Sequence, residues 1–93
     1  MDTLEREIST SAAEFRRGLD LAFPGHVVAG ADALCVDDGL AAMEIELVPG
    51  VPRTIAALRL PTLHVTIRYT RGTPAQRQAM LARMDLAMQR GGG

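Results

Sequence analysis

The chain has 93 residues, which suffices for one domain with a single core and leaves no room for a second. Its net charge is -1, every basic side chain is an arginine, and no basic tract or stacking pair of aromatics occurs, which excludes the usual nucleic-acid readings. The single cysteine, Cys35, excludes an intrachain disulfide, and no apolar stretch has signal-peptide or transmembrane length, so a cytoplasmic protein with no membrane partner is expected.

Residues 3–22 are read as one helix. Leu4, Ile8, Phe15, Leu19 and Ala22 recur at helical spacing, and Asp2 with Glu5, or Ser11 with Glu14, offers a capping box. The run Ser9-Thr10-Ser11 leaves a second option, a helix that starts only at Ser11; the unbroken stripe favours the single helix. Pro24-Gly25 ends it.

Residues 26–29 are a short apolar lead-in, and 33–36 read as a strand. Asp37-Asp38-Gly39 is a turn signal, after which residues 41–48 alternate: Ala41, Met43, Ile45 and Leu47 on one side, Ala42, Glu44, Glu46 and Val48 on the other. A hairpin is expected. The linker that follows holds Pro49, Pro52 and Pro61, and "RTIAALR" is read as one helical turn capped by Thr54. Its length is too short for a parallel crossover helix, so the next strand should return antiparallel.

That strand alternates from Pro61 to Tyr69. Leu63, Val65, Ile67 and Tyr69 face one way; Thr62, His64, Thr66, Arg68 and Thr70 face the other. Thr73-Pro74-Ala75-Gln76 then supplies a cap, a first-turn proline and a glutamine three residues on, the signature of a helix start. This helix should run to about Gln89, with Met80, Leu81, Met84, Ala87 and Met88 as its stripe. The terminal Gly91-Gly92-Gly93 reads as a helix stop with a flexible tail, leaving residues 1–90 as the domain.

The expected architecture is therefore α+β in two layers: a three-stranded antiparallel sheet with N- and C-terminal helices on one face, in the order α-β-β-β-α. If the second and third strands are neighbours, Glu44 and Glu46 share the outer face with His64, Thr66 and Arg68, and Glu–Arg or Glu–His pairs can form across them. These five residues are the candidate binding surface, for a partner protein or a second copy of the chain. The alternative is an enzyme or anion-binding domain in which His64 is the acid or base, Glu44 or Glu46 tunes it, and Arg68 holds an anion.

No nucleotide-binding glycine motif, nucleophile elbow or metal-ligand spacing is present, so no metal and no cofactor are expected. Cys35 has an apolar setting, for which a buried thiol is the default. Charge is unevenly spread along the chain. Residues 1–46 carry a balance of -7 and residues 47–93 carry +6. Either the halves interleave and neutralise one another, or the molecule keeps complementary patches for two subunits.

Overall fold

A computed structural model describes residues 3–92, and the side chains of residues 3–89. The chain runs β1 (Thr3–Ile8), α1 (Ala12–Ala22), β2 (Val27–Ala29), β3 (Leu34–Asp37), β4 (Ala42–Pro49), β5 (Arg53–Ile55), β6 (Leu58–Leu60), β7 (Leu63–Arg71) and α2 (Pro74–Gly92). The class is α+β, with two helices and antiparallel strands. The main sheet has five strands in the order β1-β7-β4-β3-β2, not the expected three, and β5 pairs with β6 in a separate two-stranded ribbon.

The largest correction is at the N-terminus, where residues 3–8 form an edge strand and not the first part of a helix. Leu4 and Ile8 lie four apart, a spacing that a helix face and a strand face share. The intervening alternation decides the matter: Leu4, Arg6 and Ile8 are partly buried, while Thr3, Glu5 and Glu7 are exposed. β1 gains a full antiparallel ladder with β7, from Thr3 opposite Arg68 to Ile8 opposite Leu63. The helix begins after Ser11, whose hydroxyl accepts from the Glu14 N–H at 3.1 Å. Of the two possible boxes, the Ser11 cap is the one used; Asp2 of the other lies outside the described residues.

The C-terminal helix starts as expected. Thr73 Oγ1 accepts from the Gln76 N–H at 3.2 Å, and Gln76 Oε1 accepts from the Thr73 N–H at 2.9 Å. It continues to Gly92, beyond the expected stop near Gln89 and through two of the glycines expected to form a flexible tail, while Gly93 lies outside the described residues.

Both helices cover the same sheet face. Phe15, Leu19, Ala22 and Phe23 from α1 and its C-cap, and Met80 and Met84 from α2, form one core cluster with Val36, Met43, Ile45, Leu63, Val65 and Ile67. The helices approach closely where α1 has Gly18: a Cβ there would sit 2.5 Å from Met88 Sδ. Arg6 on the edge strand reaches the same side and binds Asp85 of α2 in a two-pronged pair, Nη1–Oδ1 2.6 Å and Nη2–Oδ2 3.1 Å.

The β3–β4 turn is built by its acids. Asp37 Oδ1 accepts from the Gly39 N–H at 2.9 Å; Asp38 Oδ1 accepts from the N–H groups of Leu40 (2.9 Å) and Ala41 (2.8 Å). Gly39 takes φ 93°, a region open to glycine at little cost.

The linker from β4 to β7 contradicts the expected helical turn. β4 and β7 pair as far as Pro49 opposite Leu63, the Gly50 N–H adds a bond to the Thr62 carbonyl at 3.0 Å, and pairing resumes at Arg53 opposite Leu60. Residues 42–71 are thus one long hairpin, interrupted where residues 50–52 face residues 61–62 with one extra residue, a bulge. Pro52 and Pro61 have no N–H to give the ladder, which places the interruption there. The tip turns at Ala56-Ala57, with Ala56 at φ 54°. Fourteen residues of strand from Ala42 to this tip span about 46 Å. The longest dimension of the molecule is 44 Å against 23 Å in the other two, so the hairpin defines the long axis.

Candidate functional site

The outer face of the sheet carries no helix, and its geometry follows from the register of three strands. Across β1, β7 and β4 the rows read Thr3–Arg68–Glu44, Glu5–Thr66–Glu46 and Glu7–His64–Val48. Strand alternation brings Glu44, Glu46, His64, Thr66 and Arg68 to one face, as the sequence implied.

Within that set the pairing is partly as expected. Arg68 and Glu44 form an ion pair, and the carboxylate beside it raises the guanidinium pKa above its ordinary value. His64 does not meet Glu44 or Glu46: its Cα partner on β4 is Val48, and its Nε2 lies 3.0 Å from Glu5 Oε1 on β1. The expected pairing of His64 with Glu44 or Glu46 is not made: Glu46 and Glu44 lie two and four residue pairs away along the ladder. Both His64 and Glu5 side chains are open to solvent, where a histidine–carboxylate pair gains little.

Glu5 and Glu7 were absent from the sequence-based site, since residues 3–8 were read as helix. The alternation of Thr3, Glu5 and Glu7 against Leu4, Arg6 and Ile8 was the available signal. Cys35 is the other surprise: it stands exposed on β3 opposite Glu44, and not in the core. Thr3, Asp32, Cys35, Glu44, Glu46 and Arg68 help line a cleft of about 420 Å³, closed on one side by the loop before β3. Among the described residues, no cluster of three or more His, Cys, Asp or Glu is placed to hold a metal ion.

The two halves of the charge pattern largely interleave. Glu5 with His64, Asp37 with Arg71 and Glu44 with Arg68 each join an acid of the first half to a base of the second. In the Asp37 pair the Arg71 guanidinium, aided by the Gly39 N–H, holds the carboxyl below the usual carboxylate range. Neutralisation is incomplete. Among the described residues, Glu7, Asp32 and Glu46 have no ion-pair partner, and neither do Arg53 and Arg59. Of the unmatched acids, Glu7, Asp32 and Glu46 sit on or beside the outer face and Asp38 sits in the β3–β4 turn; of the unmatched arginines, Arg53 and Arg59 sit on the β5–β6 arm and Arg83, which stacks over the Phe23 ring, sits on α2.

The arm is the second region without cover. Its pairs are Arg53–Leu60, Thr54–Arg59 and Ile55–Leu58, so Arg53, Ile55, Leu58 and Leu60 share one face and Thr54 and Arg59 the other. Ile55 is 51% exposed, Leu58 65% and the adjoining Val51 87%. Sequence reasoning missed this surface because it read the segment as a helical turn.

No helix of the described residues is long and apolar enough to cross a membrane. Compared with protein-family models the chain matches none, and compared with curated proteins it matches none either.

Proposed function

We propose that this protein is a protein-interaction module whose contact surface comprises the β5–β6 arm and the outer sheet face around Glu44, Glu46, His64, Thr66 and Arg68. The observation that carries this reading is the bare apolar side of the arm. A two-stranded ribbon is marginal in water by itself, and one that holds Ile55 and Leu58 in solvent lacks the burial that would stabilise it. A partner that covers those side chains supplies that burial.

The outer face fits the same role. It is an open sheet surface with charges already arranged in cross-strand pairs, and it adjoins the root of the arm. His64 pairs with the carboxylate of Glu5 and not with Glu44 or Glu46, and a pair this open to solvent fits a docking face better than a shielded acid–base site.

The test is site-specific photocrosslinking in the native cell. A crosslinker at Leu58 should yield a discrete adduct, and one at Gln78, exposed on α2, should yield none. Equal labelling at both positions, or no adduct at Leu58, would contradict the reading.

A further inference from the structure

The two uncovered regions lie on one side of the molecule. Along β7 the outer face holds Arg68, Thr66 and His64, and period-two alternation continues it through Thr62 to Leu60 and Leu58. Two contacts agree with that continuation. A Cβ on Gly50 would stand 2.8 Å from Thr62 Oγ1, which places residue 50, two beyond Val48, on the same side as Thr62. Pro61, of the other parity, lines the cleft beside Ile8 and Met88 on the helix side.

One long face therefore changes character from end to end. At the β3 end it has the cleft with Asp32, Glu44 and Glu46, of which only Glu44 is matched. In the middle it has Val48, His64 and Thr62. At the tip it has Leu60, Leu58, Ile55 and the unmatched Arg53. The arm cannot satisfy its own cleft, because the hairpin carries the two ends apart along the 44 Å axis.

We infer that the partner of this face is a second copy of the chain, bound face to face and antiparallel about a two-fold axis, with each arm seated over the other's acidic cleft. This rests on the interaction-module reading above and names its occupant. The argument is charge complementarity with a fixed geometry. A two-fold axis near the middle of the face maps tip onto cleft and cleft onto tip, so one surface satisfies itself. Arg53 of one copy then meets Glu46 and Asp32 of the other, and Ile55, Leu58 and Leu60 lie against the aliphatic stems and Cys35 of the cleft. The size is adequate: one long face of a 44 × 23 × 23 Å molecule offers the ~800 Å² per partner of an ordinary stable interface. Arg59, on the opposite side of the arm, stays at the rim.

Charge reversal tests it through sedimentation velocity. The wild-type chain should sediment as a dimer of its 10.0 kDa mass. Glu46→Arg and Arg53→Glu should each weaken self-association by about tenfold or more, since each sets like charges together at both ends of the pair. Mixed in equal amounts, the two variants should recover the dimer, because every 46–53 contact in the mixed pair again joins opposite charges. Circular dichroism of each variant checks that it is folded. A wild-type monomer, a dimer indifferent to both reversals, or reversals that the mixture fails to rescue would each overturn the proposal. A wild-type monomer whose Leu58 still crosslinks to another protein in the cell would overturn self-association and leave the interaction reading standing; no Leu58 adduct would remove both.

Discussion

The long hairpin of residues 42–71 is one piece of chain with two unlike ends. At its root, Met43, Ile45, Val65 and Ile67 are closed over by Phe15, Leu19, Met80 and Met84. At its tip, Ile55 and Leu58 alternate in the same way and meet solvent. Apolar periodicity thus specifies that a segment is a strand with a face to cover, and not what covers it. At the root the cover comes from the same chain; at the tip the described residues supply none.

Substitutions can sharpen that contrast. The largest effect is expected at the root: Ile67→Ala should cost about 3 kcal/mol in urea unfolding, as for a fully buried aliphatic that leaves a cavity. Ile55→Ala at the tip should change the stability of the dilute chain by less than about 0.5 kcal/mol. Equal losses at the two sites would mean that the arm is packed on its own domain.

Next in size is the pair that ties the edge strand to the final helix. Arg6→Ala should cost about 1.5 kcal/mol, more than an exposed ion pair and less than a fully buried one, since both side chains keep a third or more of their exposure. The same assay reads it, and a null result would mean that β1 is held by its ladder alone.

The β3–β4 turn gives a pH-dependent effect. The N–H of Ala41 foremost holds the Asp38 carboxyl below its ordinary pKa against the opposing effect of burial, and the Leu40 N–H adds a lesser lowering. The folded value lies below the unfolded one, so this contribution is complete above the ordinary carboxylate range and lost as pH falls below it. Asp38→Asn keeps the acceptor oxygen and removes the charge. It should lose less stability than the wild type on acidification, measured as the change in urea midpoint, whereas Asp38→Ala should cost about 1 kcal/mol at neutral pH.

The smallest effect belongs to the tip itself. Ala56 holds a left-handed φ that costs a non-glycine residue roughly 1 kcal/mol, partly offset by the extra freedom of glycine when unfolded. Ala56→Gly should make the arm about 0.5 kcal/mol more resistant to opening, seen as slower amide exchange at residues 54–59 with the root unchanged.

What the sequence disclosed follows the same division. α2 was legible because Thr73, Pro74 and Gln76 act within one turn, and the sides of β4 and β7 because their alternation is long. β1 was not, because Leu4 and Ile8 fit two periods and the deciding residue, Arg6, is charged; its place on the inner side depends on Asp85, far along the chain. The arm was hidden for a different reason. Its Ala56-Ala57 turn lacks the asparagine or glycine of a hairpin signal, and alanine is the strongest helix former. The site inherits both outcomes: the Glu44–Arg68 pair was readable from two strands, while Glu5 and the arm required the tertiary structure.

The central claim is that the apolar side of the arm is covered by a second copy, and amide hydrogen exchange across a concentration series tests it most directly. Protection of residues 53–60, together with outer-face amides near Glu44 and Glu46, should rise with protein concentration while the core amides of β7 stay constant. Arm amides that exchange at one rate from the most dilute to the most concentrated sample would contradict it.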